Sequence, residues 1–122
     1  MKQKIAANYL YSSVTISPSI PAVNQEVQII YNGILLQDGA SEVYAHVGFG
    51  SNWKSTADYR MNRTPRGFEV SIPITNHTDR LNVCFKDSAN NWDNNSGSNY
   101  SFPVKRHSVE YSLDYETEVC KI

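Results

Sequence analysis

The chain predicts an all-β fold, an antiparallel β-sandwich of immunoglobulin type, and three observations carry that expectation. Apolar residues recur at every second position along most of its length, the mark of strands that bury one face. The runs are short and separated by turn residues: Asn32-Gly33, Asp38-Gly39, Gly48 and Gly50, Pro65-Arg66-Gly67, Asn76-His77. No stretch has a persuasive helical period. About six or seven such strands suit two packed antiparallel sheets. The 122 residues, 1–122, fit one domain with a real core.

In chain order, Val14 and Ile16 open the pattern, and Val27, Ile29 and Tyr31 resume it after Pro18 and Pro21. Val43, Ala45, Val47 and Phe49 form one apolar set, which turns Tyr44 and His46 to the opposite face. Phe68, Val70, Ile72 and Ile74 form the next, with Glu69 and Ser71 outward. Leu81, Val83 and Phe85 lie opposite Asn82, Cys84 and Lys86, and Tyr100, Phe102 and Val104 give another set. The intervening Ser55–Pro65 is short and polar, with Tyr59 and Met61 expected to pack or to line a loop. In the tail, 105–122, Val109, Tyr111, Leu113 and Tyr115 alternate with Glu110, Ser112 and Asp114, which predicts an extra strand. Such a strand would pair near Tyr9–Val14 or with a neighbouring chain.

Charge excludes some functions. Eleven basic and 12 acidic residues leave a net charge of −1 with no basic stripe, which argues against nucleic acid as a partner. No apolar run approaches the ~20 residues of a membrane span. Met1–Asn8 has basic residues but no apolar stretch of the kind signal peptides carry. The expected location is cytoplasmic as the chain stands, and extracellular for a module cut from a secreted enzyme. Cys84 and Cys120 are too few for a disulfide scaffold and are expected as free thiols.

Catalysis finds little support. Glu69 and Asp87 pair on paper as glycosidase acids, but Glu69 is an outward strand residue and no second carboxylate motif accompanies it. There is no nucleophile turn and no phosphate-binding glycine loop. Asp93, Asn95 and Asn99 offer oxygen ligands, yet their spacing fails the EF-hand pattern. Neither a cofactor nor a metal is expected.

One run stands apart: Asn90-Asn91-Trp92-Asp93-Asn94-Asn95, closed by Ser96-Gly97-Ser98-Asn99-Tyr100. A large ring is set here among amides and a carboxylate. Trp supplies an apolar plate with a polar edge, and the amides donate and accept, which suits a ligand with flat C–H faces edged by hydroxyls. A sugar fits that description. The loop alone leaves open a ring folded back into the core.

With Val43-Tyr44-Ala45-His46-Val47-Gly48-Phe49-Gly50-Ser51-Asn52-Trp53, Met61, Gly67–Pro73, Leu81–Asp87 and Asn99–Val104 in the same order, the chain resembles the starch-binding carbohydrate-binding modules of families twenty-five and fifty-three. The resemblance spans about Val27 to Val104. It implies an immunoglobulin-like sandwich that binds α-1,4-glucan without catalysis and accompanies a parent amylase-type enzyme. By that resemblance the site comprises His46, Trp53 and Trp92, with Asn94 and Asn95 after the second Trp and Lys86 and Asp87 leading into the loop. Tyr44 shares the face of His46 and is expected to extend it. Cys84, Lys86 and the polar Ser55–Pro65 depart from the family pattern. The competing expectation is a protein–protein interaction or assembly domain that uses an edge strand.

Overall fold

A computed structural model describes residues 9–11, 13–75 and 78–105, the first three by backbone alone. In chain order the first elements are β1 (Tyr9–Tyr11), β2 (Val14–Ser17), β3 (Glu26–Tyr31), α1 (Ile34–Gln37) and β4 (Val43–Phe49). There follow β5 (Lys54–Arg60), β6 (Asn62–Thr64), β7 (Gly67–Pro73), β8 (Arg80–Asp87), β9 (Trp92–Asp93) and β10 (Tyr100–Pro103). One antiparallel sheet has the order β1-β2-β3-β7-β6; the other runs β10-β8-β4-β5, with β9 also on β8. The expected all-β antiparallel sandwich is the observed architecture.

Alternation explains how the sheets meet. Inward residues face each other across the strand pairs: Ile29 with Val70 and Tyr31 with Phe68 in the first sheet, Ala45 with Phe85 and Val47 with Val83 in the second. Apart from half-buried Val70, which packs against it, these side chains join Val14, Ile16, Ile72, Leu81 and Phe102 in a single buried cluster. Each full burial contributes about 1.5–3 kcal/mol, so the cluster is the main term holding the layers together. At one end Lys105 donates its N–H to Pro21 O at 2.8 Å and accepts from Val23 N–H at 3.3 Å, stitching one sheet to the other.

β9 and β10 are two pieces of one edge strand. Asp93 pairs with Phe85 and Tyr100 with Val83, so residues 94–99 leave the sheet as an excursion opposite Cys84. The excursion covers part of the second sheet's outer face. Asn82 and Cys84, expected to face out, do so, yet both are buried. Asn82 donates to Gly50 O at 2.8 Å and accepts from Ser101 Oγ at 2.8 Å, and the Cys84 thiol donates to Asn99 Oδ1 at 3.2 Å. Burial first, and then the Asp93 charge, push the Cys84 thiol up to about 11.

Two expectations need correcting. A single helical turn, α1, follows Asn32-Gly33, because Leu35 packs into the core and Gly39 (φ +92°) ends the turn with its N–H on Leu36 O. One turn is too short to display a period. The polar Ser55–Pro65, for which no strand was expected, holds most of β5 and all of β6, and Tyr59 and Met61 pack as expected. Ala57 and Tyr59 lie half-buried against the core and Met61 is fully buried, while Asp58 and Arg60 face solvent. The predicted tail strand over Val109–Tyr115, together with Cys120 and His77, lies outside the described residues.

Candidate functional site

Register on the outer face of the second sheet brings the site residues together. His46 on β4 pairs with Asp58 on β5 and with Cys84 on β8; one step along, Tyr44 pairs with Arg60 and Lys86. Lys86 in turn pairs with Trp92. The resulting patch carries one imidazole, one ammonium and one carboxylate between two indoles. The His46 and Trp53 rings stack with centroids 5.6 Å apart and planes 22° apart. Trp92 meets His46 edge-on at 5.5 Å and 89°. The two indole planes therefore differ by at least about 67°, the difference between those angles.

Trp53 is held by its backbone. It closes the turn after β4, donating its N–H to Gly50 O at 3.2 Å, and has φ +52°, a region bulky residues rarely enter. Ser55 follows at φ +56°, and the β4–β5 register slips between Val47 and Phe49. This bulge swings the indole back over Gly48. A Cβ on Gly48 would lie 2.5 Å from Trp53 Cε3 and 3.1 Å from its Cα. Only glycine leaves room for the ring beside His46.

Trp92 is held through its neighbour. Asp93 accepts from the Tyr31 hydroxyl at 2.7 Å, from the Tyr100 hydroxyl at 3.1 and 3.2 Å and from Asn95 N–H at 3.1 Å. Tyr31 belongs to the opposite sheet, stacks on Phe85 with centroids 4.1 Å apart, and accepts Leu35 N–H at 3.1 Å on its hydroxyl. Burial foremost, and then the Asp93 carboxylate, hold both tyrosine hydroxyls well above their ordinary range, so they remain donors. A polar pin thus runs from the core to the residue beside Trp92. The indole itself is 49% exposed, with Lys86 Nζ 5.3 Å from its ring centroid, a cation–π contact.

Asp58, absent from the sequence expectation, organises the charges. It contacts His46 Nδ1 at 2.5 Å and Lys86 Nζ at 3.0 Å. Partial burial acts to raise its carboxyl, but hydrogen bonds from His46 and Lys86 outweigh that and hold it below the usual aspartate range. Its signal lay in the alternation of Ala57, Tyr59 and Met61, which turns Asp58 toward the face of His46.

The other predicted residues have visible structural work. Asp87 caps the hairpin at 87–91, accepting from Ala89 N–H, Asn91 N–H and Asn91 Nδ2, each at 2.9 Å. Those bonds, the Asn91 side chain's first, hold its carboxyl low. Asn95 Nδ2 donates to Asn99 O at 3.0 Å, and exposed Asn94 takes Gly97 N–H on Oδ1 at 2.9 Å. Asn90, Asn95 and Asn99 all have positive φ, the conformation asparagine tolerates best after glycine. The amide-rich composition is therefore accounted for in large part by loop geometry. Tyr44 hydrogen-bonds Glu42 at 3.3 Å and lines a recess of about 440 Å³ with Asp58, Arg60 and Lys86.

Residues 27–83 match the family model described as "Starch/carbohydrate-binding module (family 53)". The resemblance seen in the sequence motifs is shown by this match. It includes His46, Trp53 and Asp58 and stops short of Trp92. The chain is also 30% identical over 90 residues to an alpha-amylase of Clostridium acetobutylicum, covering 73% of this chain. It spans 11% of that enzyme's length. No solved structure matches this chain.

Proposed function

We propose that this chain is a non-catalytic carbohydrate-binding module that takes an α-1,4-glucan, as in starch, glycogen or maltooligosaccharides, on Trp53, His46 and Trp92. The observation that carries the reading is the pair of indoles set at a steep angle about one imidazole. An α-1,4-linked chain curves, so two angled plates can each cover a different pyranose face, where coplanar plates suit a straight chain. His46 donates from Nδ1 to Asp58, which leaves Nε2 for a sugar hydroxyl. Lys86 and the rim amides offer further donors.

Binding of this kind is modest. Each ring covers one face of a sugar, so each yields less than the ~1.5–3 kcal/mol of full aromatic burial. Hydrogen bonds exchanged with water net about 0.5–1.5 kcal/mol each, and ordering the glucan opposes them. The sum corresponds to dissociation constants on the order of micromolar to millimolar. The family match supports a binding role, and so do the acids of this face: Asp58 and Asp87 are already committed to protein donors. Coverage of a small part of an alpha-amylase supports a further proposal, that the module serves a parent amylase-type enzyme.

Calorimetric titration with maltoheptaose, on wild type, Trp53→Ala and Trp92→Ala, with cellohexaose as control, tests the proposal. The expected result is binding of the maltooligosaccharide alone, reduced to undetectable heat in both variants. No heat from the folded wild type at millimolar sugar would refute it.

A further inference from the structure

Beyond Trp92 the surface drops into a second recess, of about 480 Å³, between α1 and the hairpin at 87–91. Its volume falls in the ~300–1,000 Å³ range of small-molecule sites. Ile34 and Trp92 are the large exposed members of its apolar lining, beside Leu35, Ala40 and Ala89, and polar groups such as Asp38, Ser41 and Asn91 edge it. Among the described residues three large hydrophobic side chains are exposed, and two of them, Ile34 at 56% and Trp92 at 49%, meet here. Nothing in the fold requires an isoleucine at position 34. Leu35 anchors α1 in the core, and isoleucine is a mediocre helix former.

We propose that this recess is an extension subsite, with Ile34 as its specificity-determining contact, that takes the glucosyl units of a longer α-glucan beyond those covered by Trp53, His46 and Trp92. The inference rests on the glucan-binding reading above and deepens it. Three features select a continuing sugar chain as the occupant. Trp92 borders both the His46 patch and the recess, so a chain crossing the indole leads directly into it. The lining pairs an apolar surface with hydroxyl, amide and carboxylate edges, which suit the C–H faces and hydroxyls of a sugar. The recess is also rigidly placed, because Tyr31 joins α1 to Asp93 through one hydroxyl that accepts Leu35 N–H and donates to the carboxylate.

The functional consequence is length dependence. A short oligosaccharide is satisfied by the ring patch, whereas a longer one gains the Ile34 contact. The test is calorimetric titration of wild type and Ile34→Ala with maltotriose and maltoheptaose, with thermal unfolding as the fold control. Alanine at this exposed helical position favours the turn, so the variant folds. Wild type is expected to prefer maltoheptaose over maltotriose. Ile34→Ala should lose about threefold to fivefold in maltoheptaose affinity, with maltotriose unchanged. Unchanged maltoheptaose affinity in the variant, with wild-type binding intact, overturns the extension while leaving the main patch standing. An equal loss for both sugars overturns it as well, since Ile34 would then not act by length. Failure of wild type to bind either sugar overturns the glucan reading and the extension together.

Discussion

Asp93→Ala is the sharpest perturbation the structure offers, because one carboxylate joins β3, β9 and β10. It takes the Tyr31 hydroxyl at 2.7 Å and the Tyr100 hydroxyl at 3.1 Å, both from buried tyrosines, and Asn95 N–H at 3.1 Å. A hydrogen bond to a charged acceptor contributes about 1.5–3 kcal/mol. The Asn95 amide is half-buried and regains water, so the two tyrosines dominate. Their combined loss is roughly 3–5 kcal/mol, and water entering the vacated space brings it toward the lower end. At a urea slope of about 1.5 kcal/mol per molar the midpoint should fall by about 2 M. Tyr31→Phe removes one of these bonds and also orphans Leu35 N–H, and should cost about 2 kcal/mol. Because both variants break the same bond, the double variant should be less destabilised than their sum by at least about 1 kcal/mol. Maltoheptaose affinity should fall in Asp93→Ala as well, since β9 loses the tether beside Trp92. A midpoint within 0.3 M of wild type, or strict additivity of the pair, would refute the idea that this network pins the loop.

Two further outcomes are expected. Gly48→Ala forces the Trp53 ring off its seat, so maltoheptaose affinity should drop at least about tenfold and stability should fall by about 1–3 kcal/mol, read by calorimetry beside a denaturation curve. The depressed Asp58 carboxyl gives a pH signature: its links to His46 and Lys86 are present above the ordinary aspartate value of 3.8 and are lost only as pH falls below it. Carboxyl NMR titration should therefore place the Asp58 midpoint under 3.8, and Lys86→Met should move it upward.

Much of the fold was legible because burial on one face imposes a period of two. His46 came from the same rule, since Val43, Ala45 and Val47 fix which face it shares. What stayed hidden was set by other forces. The alternation of Ala57, Tyr59 and Met61 is real but diluted by polar neighbours on an edge strand, so Asp58 went unread. The turn α1 is too short for a period, so Ile34 carried no signal of its own. The role of Asp93 depends on Tyr31, sixty-two positions earlier in the chain and on the opposite sheet, a contact no local pattern reveals. The asparagines illustrate the reverse problem: composition suggested ligand contacts, whereas Asn90, Asn95 and Asn99 are placed first by their left-handed backbone.

The two indoles are fixed by unrelated means, and this bears on why the pair holds an angle. Trp53 depends on a strained turn, a slipped register and the missing side chain of Gly48, all within one edge hairpin. Trp92 depends on an interrupted strand at the other side of β8 and on a carboxylate tied to the opposite sheet. The two rings meet at His46, and Asp58 and Lys86 brace that meeting point. A hole for a small ligand can be shaped by one loop, but a curved track needs two plates whose relative orientation survives thermal motion. Rigid placement also limits the ordering entropy charged against each weak contact, which matters most where individual contacts are worth about 1 kcal/mol. On the proposed glucan reading, Gly48, Tyr31 and Asp93 would therefore matter to recognition as much as the rings they hold, through placement rather than contact.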